Sequence, residues 1–343
     1  RERLRLDSSR IDPLTTRRSI VQFVNGFEYA ARDSEDRVEN DLFAKHYWYQ
    51  PVSDQVMTSG NSISHISQST HRFGAGDALR VRVAEGLICK ASYEYATRLP
   101  RADEVFGDGS LVAPNLELVP ETSHNANLGV LVQQDLAGRA GQVALEATGL
   151  LRYTDRMITR LLAPDRVRSI YRNVYSVRTF GADGVLRWSA PQRWLVLQVN
   201  ATYLDQRNTS ELGPFAHFKG RRLSNRPWLF GNASAALRIA RFGANSGELT
   251  LFWFTRYVHS FLAGWEDAGT GDADDSQIPE QLVHSASLGY SVHSRTVRLD
   301  FALDLANLTD ARVYDVLGVQ RPGRAAYFKV TVGWDDSVSA DAR

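Results

Sequence analysis

Residue types able to do chemistry stand here at spacings that mostly forbid it. Asp272, Asp274 and Asp275 have the carboxylate spacing of a calcium loop, in which oxygens converge on a hard cation. The glycine and distal glutamate that complete an EF-hand are not at their places, so a solvated acidic loop tip is the stronger reading. The eight histidines, among them His46, His65, His217 and His259, show no close ligand pair along the sequence, and no metal site is read from them. Gly107-Asp108-Gly109 lacks the strand-then-helix setting of a phosphate loop and reads as a loop turn. Neither a G-x-S-x-G elbow nor an H-E-x-x-H pair occurs. Cys89 is the only cysteine, which excludes a disulfide framework and a cysteine-built cluster. No enzyme and no cofactor are expected.

What recurs instead is alternation, the period-2 pattern of a strand with one oily and one wet face. Val297, Leu299, Phe301, Leu303 and Leu305 interleave with Arg298, Asp300, Ala302 and Asp304. Val143, Leu145, Ala147, Leu151 and Tyr153 oppose Gln142, Glu146, Thr148 and Arg152. Leu195, Leu197, Val199, Ala201 and Tyr203 oppose Val196, Gln198, Asn200 and Thr202. Further sets run through Ala233–Ile239 and Phe328–Trp334, and Cys89 falls on an oily face with Leu87, Ala91, Tyr93 and Tyr95.

Alternation alone also suits a soluble sandwich, in which oily faces meet each other. The connections discriminate. Tight links are expected at Gly74–Asp77, Ala137–Ala140, Ser189–Gln192, Phe242–Gly247 and His293–Thr296. Long ones fall at Arg98–Glu121, Asp155–Tyr171, Asn208–Arg226, Leu262–Glu280 and Thr309–Pro322, the last but one rich in Gly and Asp. Short periplasmic turns and long outer loops are the asymmetry of an outer-membrane β-barrel. About fourteen strands are expected.

Charged residues make up 23% of the chain, mean hydropathy is −0.30, and no run approaches the ~18 apolar residues of a membrane helix. Any membrane contact must be made by strands. With a net charge of +1 there is no global field for nucleic acid. Tyr153, Tyr203, Tyr257, Trp188, Trp194 and Trp334 fall near predicted strand ends, where an aromatic girdle sits at each membrane interface. The chain opens on a charged run at Arg1 and not on an apolar segment, as expected of a mature or truncated product.

Several motifs together resemble the barrel of TonB-dependent outer-membrane receptors. They are the stretch from Tyr93 to Glu121 with its Arg98-Leu99-Pro100 strand end and Pro120-Glu121 strand start, Arg172–Ser189, the Ser224–Trp228 loop end, and Leu303–Trp334 with Asn307-Leu308 and Pro322-Gly323-Arg324. The resemblance implies an all-β, antiparallel transmembrane β-barrel. Family barrels have about twenty-two strands, so residues 1–334 are expected to be the C-terminal portion of one. Residues 335–343 form a polar tail, and the plug and TonB-binding motif are not seen in this sequence. An open sheet edge in hydrocarbon costs several kcal/mol per unpaired group, so a further segment or chain must complete the wall.

The resemblance further implies a location in the outer membrane of a Gram-negative bacterium. It implies uptake of a scarce, large nutrient such as a metal–siderophore complex, cobalamin or oligosaccharide, driven by TonB through a plug. A passive pore or stand-alone barrel is the alternative. Implied partners are outer-membrane lipid, TonB, the small-molecule or oligosaccharide ligand and a surface lipoprotein; nucleic acid is not among them. Ligand contacts would come from Tyr47, Trp48 and Tyr49, from Arg101, Asp103, Glu104 and Phe106, from Phe215, His217 and Phe218, and from Trp265 with Glu266. The competing reading of each is packing within a loop.

Overall fold

The computed structural model describes residues 18–56, 63–108, 110–137, 140–162, 167–213, 215–243, 247–262, 277–293, 297–316 and 319–334. In chain order the strands are β1 (Arg18–Arg32), β2 (Val38–Val56), β3 (Ile63–Ser67), β4 (Thr70–Ala84), β5 (Leu87–Arg98), β6 (Val112–Ala113), β7 (Glu121–Asp135), β8 (Gln142–Leu162), β9 (Ser169–Ser189) and β10 (Leu195–Asn208). They continue with β11 (Leu229–Phe242), β12 (Gly247–Val258), β13 (Phe261–Leu262), β14 (Gln277–Ile278), β15 (Gln281–His293), β16 (Val297–Ala306), β17 (Tyr314–Val316), β18 (Val319–Gln320) and β19 (Ala325–Trp334). One short helix, α1 (Ala102–Phe106), lies between β5 and β6.

The main sheet runs β1-β2-β4-β5-β7-β8-β9-β10-β11-β12-β15-β16-β19, thirteen strands in chain order, each antiparallel to the next. β3 adds to β2, and β6 adds in parallel to β9. Among the described residues β1 pairs only with β2 and β19 only with β16, so the path has two open edges. Among the described residues no helix is long and apolar enough to cross a membrane.

Register carries each oily face into the next. Phe328, Leu303, Leu288, Leu251, Leu237 and Leu195 stand opposite one another in a row across six strands. Directly behind it, Asp304 takes Lys329 from β19 and the Ser287 hydroxyl from β15. The oily face is bare: Phe27, Leu128 and Phe328 are 67%, 68% and 68% exposed, and no second layer of described residues covers them. A sandwich, whose oily faces meet, is thereby excluded for these residues.

The bare band has a membrane's height. Trp194 at the short-link end of β10 and Tyr203 near its other end are about nine residues apart, hence about 30 Å along the strand and about 23 Å after a ~40° tilt. A barrel's apolar band is about 25 Å tall.

Two expected links are corrected. Gly74–Asp77 lies inside β4, and the tight turn there is Glu85-Gly86. Gly86 has φ +72°, and a Cβ on it would lie 2.0 Å from the Gln133 carbonyl oxygen. Gly76 lies instead beneath Phe43, whose Cζ would be 2.6 Å from a Cβ, so close packing and not turning demands it. Asp155–Tyr171 is not a long irregular loop either, because β8 and β9 continue as a hairpin to Leu162 and Ser169 across a bulge at Thr154–Met157. The tail 335–343 lies outside the described residues.

Candidate functional site

The buried clusters gather at the end where the long connections emerge, on the face opposite the oily one. That face is called inward below. The connection 99–120 supplies the first. Arg101 begins α1, and Glu104, three residues on, accepts the Arg101 backbone N–H at 2.9 Å, half of a capping box. Gly107, at φ +66°, stops the helix after five residues. α1 buries Val105 completely and packs it with Leu116, Leu118, Ile158 on β8 and Tyr49 on β2. Ile20 of β1 and Tyr171 of β9 close over the cluster.

Under this cap Arg98 is clamped between two carboxylates. It donates to Glu104 at 3.0 and 3.1 Å and to Glu121 at 2.8 Å. Arg98 and Glu121 are register partners on β5 and β7, so strand pairing brings them together. Glu121 also accepts the backbone N–H of Ile158. The connection is then tied at both flanks. Arg18 and Gln22 on β1 donate to the Phe106 and Pro100 carbonyls, while Asn173 on β9 exchanges hydrogen bonds with the Val119 backbone and Asn115 donates to the Tyr171 carbonyl. Asp108 reads as the turn its sequence suggests: its carboxylate accepts the Val112 and Ser110 N–H groups, which hold its pKa below the ordinary carboxylate range.

A second cluster adjoins the first through Met157 and Ile158. Phe215 and Phe218, from the connection 209–228, pack on Val177 and Leu223 with Met157 and Leu262. Asn208, fully buried, donates to the Phe215 carbonyl at 2.8 Å and accepts the Ser210 N–H, which pins the start of that connection. On its surface Lys219 donates to Glu211 at 2.7 Å and lowers the pKa of that carboxyl.

The predicted ligand residues thus separate. Tyr49, Glu104 and Phe106 meet in the first cluster and are largely buried there, whereas Arg101 and Asp103 stay exposed above it. The Tyr49 hydroxyl is buried and finds no hydrogen-bond partner among the described residues. Tyr47 lies inward across Gly74, with its ring 3.3 Å from where a Cβ would be. Trp48, between the two tyrosines, is on the oily face and donates to Ser69 at 2.9 Å. Phe215 and Phe218 belong to the second cluster, and His217 is exposed with its ring 3.8 Å from that of Phe218. Trp265, Glu266 and the aspartates 272, 274 and 275 lie outside the described residues.

Sequence reading missed Arg98 and Glu121, although alternation places both on the wet face at the two ends of one loop. It also missed His46 and His71, 25 residues apart, whose ring nitrogens are 3.0 Å apart on the outward face beside Trp48 and Phe73. Among the described residues no group of three metal-ligating side chains converges.

Residues 27–308 match the family model described as TonB dependent receptor-like, beta-barrel. No curated protein is similar to the chain by sequence. Solved structures are similar in fold. The siderophore receptor PiuA from Acinetobacter baumannii superposes with a TM-score of 0.69 at 15% identity, over 92% of this chain and 43% of that one. The ferric-catecholate import receptor Fiu from E. coli K12 gives 0.65 at 14%, over 93% and 45%. The Serratia marcescens hemophore receptor HasR gives 0.63 at 15%, over 96% and 54%. The chain therefore spans about half the length of these proteins.

Proposed function

Because this chain belongs to the family of TonB-dependent receptor-like β-barrels, we propose that it is the C-terminal wall of an outer-membrane receptor that imports a scarce, large nutrient. Membership makes it a receptor wall and not an enzyme. The nutrient class is a metal–siderophore complex, cobalamin or an oligosaccharide. In this reading the plug that couples to TonB, and the strands that pair with β1 and β19, come from a further segment or another chain, and a surface lipoprotein is a candidate cap.

The observation that carries the proposal is the one-sided placement of packed, polar connections. Both clusters sit on the inward face at one end, where a descending ligand meets aromatic and polar groups before the wall. Arg101, Asp103 and His217 are the exposed members and the direct contacts proposed for the ligand. Tyr49, Glu104, Phe106, Phe215 and Phe218 hold the surface that presents them.

Import is tested in cells carrying the native receptor, with labelled ferric siderophore, cobalamin and oligosaccharide supplied in turn. Saturable uptake of one of them, abolished when the inner membrane is de-energised, is the expected result. Uptake that persists without an energised inner membrane would instead identify a passive pore.

A further inference from the structure

At the long-connection end of the oily face one cross-strand row departs from oiliness. Tyr95 on β5, His124 on β7, Tyr153 on β8, Arg178 on β9 and Arg207 on β10 stand opposite one another in register, and Arg207 bridges to Arg222. Of the three arginines in line, two share one carboxylate: Asp205 accepts Arg207 and Arg222, each at 2.7 Å. Like charges placed directly opposite destabilise a sheet. The Arg178 Nε is buried without a hydrogen-bond partner, and the carboxylate next along this face, Asp155, accepts the Ser176 hydroxyl instead. The imbalance is regional, since residues 152–226 hold fourteen Lys and Arg against five Asp and Glu, in a chain whose net charge is +1.

What lies beside the row on the same face is apolar. Two residues along β9 from Arg178 comes Phe180, 56% exposed, and two further Ala182. Ala182, Gly149, Ala147, Leu128, Val130 and Cys89 line a shallow trough on the outward surface. Gly149 and Ala182 are register partners, and their small side chains hollow the sheet between bulkier neighbours. Arg178 is thus about 13 Å along the strand from the trough.

We infer that this surface is a binding site for a phosphate-bearing lipid of the outer leaflet, with its phosphate on the Arg178–Arg207–Arg222 row and an acyl chain in the trough below. Guanidinium groups match phosphate geometry and hold it by charge-assisted hydrogen bonds. The order of the two parts argues for a lipid and not a soluble anion: the cations begin where the apolar band and its tyrosines end, the depth at which headgroups lie. This inference is independent of the cargo the receptor carries.

The test titrates the full chain, solubilised from outer membranes in non-ionic detergent, with bisphosphorylated lipid A and with the same lipid after phosphatase treatment. The phosphorylated form is expected to bind roughly tenfold more tightly, the worth of one charge-assisted hydrogen bond. Arg178→Gln is expected to abolish that preference and Arg178→Lys to keep most of it. Gly149→Leu, which fills the trough and leaves the charges alone, is expected to weaken both forms. Equal binding of the two lipids by the wild-type chain would overturn the site, and this arm decides the matter even if Arg178→Gln fails to fold. Displacement of the lipid by inorganic phosphate at matched phosphate concentration would mark a soluble-anion site and overturn the lipid assignment.

Discussion

The two ends of the sheet are built on different terms. At the end holding Glu85-Gly86, strands turn back within a few residues, and little beyond Ser189 and Ala190 is buried there. At the other, connections of about twenty residues fold onto the inward face and bury Val105, Leu118, Val177, Asn208 and Ile278. The strands between are the same strands, so the difference is not one of local propensity. A wall that faces hydrocarbon outside and water inside needs no core of its own. Packing is spent where a surface must hold a shape, and only one end carries such a surface.

Labelling offers the sharpest way to break this contrast, because its outcome is all or none. In a Cys89→Ser background, Leu212→Cys at the capped end is expected to react with an impermeant maleimide on intact cells. Glu85→Cys at the trimmed end should react only after the outer membrane is permeabilised; the opposite pattern would invert the topology. The band that separates the ends is tested next. Leu303→Arg is expected to cost about 2–4 kcal/mol in a bilayer refolding titration, and its neighbour Asp304→Arg much less. Equal costs would mean that the two faces do not meet different solvents.

Smaller effects sharpen the comparison of ends. Glu104→Gln, in the buried clamp, is expected to lower stability to unfolding by about 1–3 kcal/mol. Glu248→Gln, which breaks the exposed pair with Arg238 at the trimmed end, should cost about 0–1 kcal/mol. The smallest is a pH effect within the cap. Because the Asp108 pKa is lowered on folding, its contribution is full above the ordinary carboxylate range and is lost as pH falls through the depressed value. The protection of the Ser110 and Val112 amides, taken relative to the intrinsic exchange rate at the same pH, should therefore fall in acid, and Asp108→Asn should flatten that dependence.

Strand faces were legible because period-2 alternation is a local property: the sets through Leu195–Tyr203 and Val297–Leu305 fall on the faces their sequence assigns. Gly74 and Gly76 misled, since a glycine that admits a ring from the neighbouring strand is written like one that turns the chain. Arg156 and the bulge beside it hid the continuation of β8, because a bulge shifts the alternation out of phase. At the candidate site, Trp48 was grouped with Tyr47 and Tyr49 by adjacency although alternation sends it to the other face. The burial of Glu104 was not legible at all, because its partners Arg98 and Glu121 meet only through strand pairing.

The connection 99–120 is moored to Arg18 and Gln22 at one side and to Tyr171 and Asn173 at the other, with β2, β4, β5, β7 and β8 curving between those anchor points. A chord of fixed length sets the radius of the arc it subtends. The sector from β1 to β9 is accordingly held to one curvature at that end.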